Sequence, residues 1–198
     1  MGEATLIVPD ALLQTMRRRR VTRSFTDSPV PDEALGQIVE AGRWATSGGN
    51  RYPHRFMVVR DPERIRLIRS VAPGMLPLPP ALIAILIDTE QAGADSMRVE
   101  VEPMHWVDVG TAAMNMMTMA QALGIGSCPV TSFSKSGVAT MLELPANLVA
   151  EFLLILGYPA SAKRATNPNA PTPVTARDLT YWEHVGEHDP ASTPRDGT

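Results

Sequence analysis

The segment 108–123 is apolar around almost its whole circumference when it is drawn as an α-helix. One face follows the helical repeat, and further methionines widen it: Val109, Ala112, Ala113, Met116, Ala120 and Leu123, then Met114, Met117 and Met119. A helix of this kind has to be buried on most sides, and a chain of 198 residues can hardly surround it alone. We therefore expect part of this helix to face a second copy of the chain.

The rest of the pattern predicts helices and strands that share one core. Helices are expected at 10–18, 31–45, 61–73 and 136–142, and strands at 55–60, 81–87, 152–156 and 174–184. Strand 81–87 is apolar on both faces, so it is expected at the centre of a sheet. The polar segment 88–102 predicts a lid or binding loop. Residues 159–173 predict an extended arm that lies across another surface.

Composition favours one globular domain over residues 1–198, with a core at about 10–185 and a mobile tail at 186–198. Hydrophobic residues make up 44% of the chain and charged residues 20%. The net charge of −3 argues against nucleic acid and anionic membranes as partners. A single cysteine, Cys128, excludes an intramolecular disulfide and fits a reducing compartment. The first residues do not resemble a secretory signal, so we expect a cytoplasmic protein.

Three segments are candidates for ligand binding, and each has a simpler explanation. Arg19, Arg20 and Arg23 suit bidentate contacts to a phosphate, but arginines at a helix end also complement the helix dipole. The run 47–50 combines glycines with serine and asparagine, which suits a planar ligand or an ordinary loop. The glycine-containing run 124–131 offers backbone amides, or simply ends the preceding helix, and residues 127–133 are expected to form a turn.

The histidines are not expected to form a metal site. No two of His54, His105, His184 and His188 stand at the spacing of a metal-ligand pair. His105 precedes the apolar helix, where it lines a pocket or fills a structural role. Cys128 is expected to be a small core residue rather than a nucleophile.

In order and spacing, these segments resemble the nitroreductase-like flavoproteins over about residues 12–185. The resemblance begins with Arg19-Arg20-Val21-Thr22-Arg23-Ser24-Phe25 and Pro29-Val30-Pro31. It continues through 44–54 with the strand behind it, and through 108–110 and 122–128. Leu142-Glu143-Leu144-Pro145, Leu156-Gly157-Tyr158-Pro159 and Arg177-Asp178-Leu179 complete it. The combination is specific, although each motif alone is weak.

The resemblance implies an α+β fold in which a central, mainly antiparallel sheet is flanked by helices. It also implies an intertwined homodimer with an extended C-terminal arm and an FMN at the dimer interface. Arg19, Arg20, Arg23 and Arg177 would contact the phosphate and ribityl chain, and Arg20 and Val21 would run beside the isoalloxazine. Ser47, Gly48, Gly49 and Asn50 would reach the ring from the partner subunit. Backbone groups of Pro129, Val130 and Thr131 would lie near flavin N5.

The implied activity is ping-pong hydride transfer, from NADH or NADPH through FMN to nitroaromatic, quinone or similar electron-poor acceptors. No side chain is assigned a catalytic role, because the flavin performs the chemistry. The sequence departs from the family pattern at Val21, at Tyr52-Pro53-His54 and at Thr131-Ser132. These departures change the expected acceptor pocket, for which Tyr52, His54 and His105 are the candidates. Two alternatives stay open: a specialised reaction (reductive dehalogenation, enone reduction or flavin breakdown), and FMN binding without catalysis.

Overall fold

Four antiparallel strands form the centre of the first of two units into which the chain divides, Met1–Ala162 and Lys163–Thr198. The computed structural model describes residues 9–92, 105–160 and 174–181. The strands are β1 (His54–Val59), β2 (Ala81–Asp88), β3 (Gly126–Val130) and β4 (Leu148–Gly157), and they lie in the order β1-β2-β4-β3. The described helices are α1 (Pro9–Arg18), α2 (Asp32–Arg43), α3 (Pro62–Ser70), α4 (Thr89–Ala92), α5 (His105–Ala122) and α6 (Lys135–Met141).

Strand β2 is central, as its sequence predicts, and every residue in it is buried. Its odd-numbered side chains pack with Ile38 of α2 and Met116 of α5, and its even-numbered side chains pack with Ile68 of α3 and Val138 of α6. Helices therefore cover both faces of the sheet, which explains an unbroken apolar run in an antiparallel strand. The expected α+β arrangement is confirmed.

Helix α5 begins three residues earlier than predicted and leaves part of its apolar surface uncovered. Met116 is fully buried, but Val107 is 59% exposed and Met114 is 48% exposed. These two residues are seven apart, so they lie on one side of the helix. Helix α1 packs against α5 and has no buried residue of its own; its Leu12, Leu13 and Met16 are all exposed. We call these five side chains the exposed apolar surface of α1 and α5.

Two other helices begin at side-chain caps. Asp61 accepts a hydrogen bond from the Glu63 amide at 3.0 Å before α3, and Ser134 accepts one from the Gly137 amide at 3.1 Å before α6. Both caps satisfy an amide that has no partner within its own helix. Helix α2 ends at Arg43 and α3 at Ser70, two and three residues short of the predicted ends.

Two predictions from the sequence are wrong. The run 127–133 was expected to form a turn, but its first part is the edge strand β3, which pairs with β4. Pairing with β4 overrides the weak strand propensity of this glycine- and proline-containing sequence, and proline is tolerated in an edge strand. The predicted strand at 174–184 is wrong over 174–181, where Arg177–Leu179 form a short 3₁₀ turn. Asp178 stabilises this turn by accepting from the Thr175 amide and hydroxyl, both at 2.7 Å.

Several predictions fall wholly or partly outside the described residues. Of the expected lid, residues 88–92 form the end of β2 and helix α4, and residues 93–102 lie outside. Most of the expected arm (161–173), the tail (186–198), His184 and His188 also lie outside. The single domain over 1–198 stays a prediction. Within the part of the chain that the structure describes, no helix is both long and apolar enough to span a bilayer.

Gly126 is the first residue of β3 and lies where the segment that follows α1 crosses this strand. There is no room for a side chain at Gly126. A Cβ atom built there would lie 2.5 Å from Thr22 Oγ1 and 2.8 Å from Thr22 Cβ. We expect Gly126→Ala to lower the free energy of unfolding by about 1–3 kcal/mol, because Thr22 has to move away. Denaturant unfolding measures this change.

Gly36→Ala on α2 is the matched control, since a Cβ at Gly36 meets nothing within 4 Å. Alanine in a helix should leave stability unchanged or raise it by up to about 1 kcal/mol. A Gly126→Ala protein as stable as the Gly36→Ala protein would contradict the contact with Thr22.

Candidate functional site

The segment 19–26, which follows α1, lies along the edge strand β3 and then reaches the end of β4. Val21 forms a parallel bridge with Ser127, and the Thr22 amide donates to the Ser127 carbonyl at 2.9 Å. Further along, Thr26 donates to the Tyr158 carbonyl, also at 2.9 Å. We call residues 19–23 the arginine segment. The structure thus brings it to β3, the strand that contains Pro129 and Val130.

The three arginines of this segment differ in their surroundings. Arg20 is turned back on its own helix, where Nη1 donates to the carbonyl oxygens of Arg17 and Arg19. The guanidinium groups of Arg19 and Arg23 make no hydrogen bond or ion pair with any residue that the structure describes. Arg23 lies close enough to Cys128 to lower the pKa of its thiol, although burial has the larger effect and raises that pKa. Arg19 and Arg23 therefore stand at the two ends of a segment that contacts β3, without anionic partners in the described chain.

Residues 47–52, which we call the glycine loop, have an unusual backbone. The φ angles of Gly49, Asn50 and Tyr52 are +59°, +56° and +49°, in the left-handed region that non-glycine residues rarely occupy. The loop is held at its start by Asp108 of α5, whose Oδ1 accepts from the Gly48 amide at 3.0 Å. Ser47 Oγ in turn accepts from the Tyr52 amide at 2.8 Å. Gly49 and Asn50 are exposed.

The three candidates for the substrate pocket lie in different environments. Tyr52 is 44% exposed, whereas His54 and His105 are only 6% and 7% exposed. The ring of His54 lies between Tyr52 and Phe56, with centroids 6.1 Å and 5.2 Å away. Only Tyr52 therefore offers much surface to an acceptor in this chain.

Burial disfavours the charged form of both histidines. Burial lowers the pKa of His54 and of His105; Asp108 acts in the opposite direction on His54, and Glu151 and then Asp108 do so on His105. Nδ1 of each ring is buried and has no hydrogen-bond partner among the described residues. His105 Nε2 lies 4.0 Å from Glu151 Oε1, and Glu151 also pairs with Lys135. Glu151 stands at the register shift between β2 and β4.

The remaining candidates lie on β3 and in the second unit. Val130 is buried, Pro129 is half-buried, and Thr131 is exposed just after the strand. Arg177 belongs to the 3₁₀ turn of the second unit. Its expected role toward a phosphate stays a prediction.

Sequence reasoning missed the side chain that organises the glycine loop. The sequence predicts only that Asp108 starts the apolar helix and assigns no contact to it. The structure places it in the first turn of α5 with 5% of its surface exposed. One signal was available, since a carboxylate on an apolar helix has to find donors when it is buried.

A model of the nitroreductase family matches residues 16–158. The chain belongs to the nitroreductase family. A relative from Thermus thermophilus, named NADH dehydrogenase, is 30% identical over 188 residues, which cover 80% of this chain and 91% of that protein. A relative from Bacillus subtilis, named FMN reductase [NAD(P)H], is 26% identical and covers 86% of this chain and 74% of its own length.

Solved nitroreductase structures share the fold of this member of the family. An FMN-dependent nitroreductase of Clostridium difficile superposes with a TM-score of 0.66 at 25% identity, over 79% of this chain and 92% of that one. The predicted family and its fold are thus confirmed.

Proposed function

We propose that this nitroreductase-family protein uses FMN to carry hydride from NADH or NADPH to nitroaromatic, quinone or similar electron-poor acceptors. The class of enzyme, an NAD(P)H-dependent flavin oxidoreductase, is supported by the family match and by the names of the two relatives and the solved structure. The structural observation that carries the proposal is the docking of the arginine segment on β3, with two guanidinium groups that lack partners among the described residues.

The residues present fit FMN on two counts. Arg19 and Arg23 supply charge-assisted donors for an anionic phosphate. The glycine loop exposes Gly49 and Asn50, so that backbone and amide groups approach a flat ring without a bulky side chain between them. Pro129, Val130 and Thr131 are proposed to lie at the N5 edge of the ring, and Arg177 to assist at the phosphate.

Bound FMN would supply the hydride-transfer chemistry that links the nicotinamide to the acceptor. The chain binds and orients the reactants. The two substrates use one site in turn, and exposed Tyr52 shapes the part of that site that receives the acceptor. The buried ring of His54 contacts the Tyr52 ring, with centroids 6.1 Å apart.

We propose a homodimer, because the candidate groups of one chain lie toward opposite ends of α5. The glycine loop is held by Asp108 near the N-terminal end, and the arginine segment meets β3 just after the C-terminal end. At about 1.5 Å per residue, α5 separates these positions by about 20 Å. A second copy packed on the exposed apolar surface of α1 and α5 would supply the missing half to each site.

We also infer a cytoplasmic location, with no nucleic acid or membrane as partner. The single cysteine and the net charge of −3 support this inference.

The test is a flavin titration followed by anaerobic reduction. We expect purified protein to bind FMN, and NADH or NADPH to bleach the visible absorption of the bound flavin. Nitroaromatic or quinone acceptors should then restore that absorption.

Other results would revise the proposal. Protein that does not take up FMN would refute it, and tight binding without bleaching would indicate flavin sequestration. Turnover confined to halogenated aromatics, enones or flavin itself would indicate a specialised reaction.

A further inference from the structure

Asp108 is a buried carboxylate whose contacts lie outside its own helix. Oδ1 accepts from the Gly48 amide at 3.0 Å, and Oδ2 lies 3.5 Å from Ser47 Oγ, a longer and weaker contact. The same Ser47 oxygen accepts from the Tyr52 amide at 2.8 Å. A chain of contacts therefore runs from α5 through Ser47 to Tyr52, across the whole glycine loop.

The loop needs this support because of its backbone. Asn50 and Tyr52 both have positive φ, a conformation that asparagine tolerates but that a tyrosine rarely adopts unless the surrounding structure holds it there. Within the loop, the Asn50 amide donates to the Ser47 carbonyl at 2.9 Å. Asp108 ties the start of the loop to α5, which packs against α2 and the sheet, and Arg55 of β1 holds its end by donating to the Tyr52 carbonyl at 2.8 Å.

We propose that Asp108 is a positioning residue for the flavin site. Its carboxylate fixes the glycine loop and, through Ser47, the backbone of Tyr52 in the conformation that meets the flavin and its acceptor. The part that concerns the flavin rests on the proposed function. Fixing of the loop itself does not, because it depends only on contacts within the chain.

The chemistry of the carboxyl group explains why aspartate suits this position. Each of its two oxygens can accept a hydrogen bond, so the Gly48 amide and the Ser47 hydroxyl both have an acceptor. Asparagine has one acceptor oxygen, and its NH₂ group would face a serine oxygen that already accepts from Tyr52. Asp108→Asn therefore keeps the acceptor for the Gly48 amide but removes the acceptor for the Ser47 hydroxyl. Asp108→Ala loses both.

The experiment measures FMN affinity and amide hydrogen exchange in the full-length protein. We expect Asp108→Ala to raise the dissociation constant for FMN at least about tenfold and to speed exchange in the 46–53 region by a similar factor. Asp108→Asn should fall between Asp108→Ala and wild type. The visible circular dichroism of bound FMN should also change in both variants, because the loop would contact the ring differently.

Asp61→Ala is the matched control. Asp61 also accepts a backbone amide hydrogen bond at 3.0 Å, from Glu63, but it caps α3 and has no contact with the glycine loop. Its loss should lower stability without changing FMN affinity, the spectrum of the bound flavin, or exchange at 46–53. If Asp108→Ala does not fold, Ser47→Ala removes the link to Tyr52, and Ser134→Ala is its control.

Each outcome decides the proposal. Unchanged exchange at 46–53 in the Asp108 and Ser47 variants would overturn it, and so would an equal loss of FMN affinity in Asp61→Ala. Faster exchange with wild-type FMN affinity would show a loop held by Asp108 that does not position the flavin. Wild-type protein that binds no FMN would refute the proposed function, while exchange in the flavin-free protein would still test the tie to Asp108.

Discussion

Replacing Arg19 and Arg23 together by alanine is expected to raise the dissociation constant for FMN by about two to four orders of magnitude. Each charge-assisted hydrogen bond to a phosphate contributes about 1.5–3 kcal/mol, and about 1.4 kcal/mol corresponds to a factor of ten. Because neither guanidinium has a partner within the described chain, the folded protein should lose little stability. Fluorescence titration of the flavin-free protein with FMN measures the change in affinity.

Arg60→Ala combined with Arg66→Ala is the control for overall charge. Both arginines form surface ion pairs, with Asp32 and Glu63, and neither belongs to the arginine segment or the glycine loop. This double variant also removes two positive charges, but it should bind FMN within about threefold of wild type, since exposed pairs contribute little. Equal weakening in both double variants would show that net charge, and not a phosphate site, governs binding.

Met114→Glu is expected to prevent dimerisation and, with it, to abolish tight FMN binding. Met114 is 48% exposed on α5 in the isolated chain, and the proposed homodimer covers it. An unpaired carboxylate in an apolar interface costs several kcal/mol in each subunit, so the dimer should dissociate at least about a hundredfold more readily. Sedimentation at several protein concentrations measures this, and FMN titration of the same samples shows whether the site is lost together with the dimer.

Leu67→Glu provides the comparison on another face. Leu67 is 53% exposed on α3, which packs on the opposite side of the sheet from α5. A glutamate there should stay solvated and leave both assembly and FMN affinity unchanged. If Met114→Glu were a dimer with wild-type FMN affinity, this face of α5 would lie outside the interface. A wild-type monomer that binds FMN tightly would refute the shared site altogether.

Local periodicity was enough to predict most of the fold. The apolar run of β2 predicted a central strand, and the helices were found because their apolar residues recur at the helical spacing. Caps such as Asp61 marked the helix starts. These features depend on residues close together in the sequence, so one sequence is enough to find them.

The wrong predictions concern elements that depend on distant contacts. The sequence of β3, Gly126–Val130, has weak strand propensity, and only its pairing with β4 makes it a strand. Asp108 is the first residue of the apolar helix that periodicity predicts, and the sequence assigns no contact to it. In the structure its carboxylate accepts a hydrogen bond from the Gly48 amide. Which amide a buried carboxylate meets is decided by tertiary packing, which no local pattern shows.

The candidate site was predicted in parts. The sequence identified the arginine segment and the glycine loop as separate candidates, and the structure shows what each is attached to. Their joint action on one FMN stays a proposal, because it depends on a second copy of the chain. The turned-back Arg20 was not foreseen, since its partners are carbonyl oxygens rather than side chains.

The hydrogen bond between Thr22 and Ser127 also bears on when the protein becomes functional during synthesis. About a hundred residues separate these two positions, so a large loop must close before the arginine segment settles on β3. A ribosome delivers the amino-terminal end first, and the arginines therefore emerge long before the strand that receives them. Prematurely terminated chains that lack β3 should be unable to retain flavin, which leaves cofactor capture as a late event in the maturation of this enzyme.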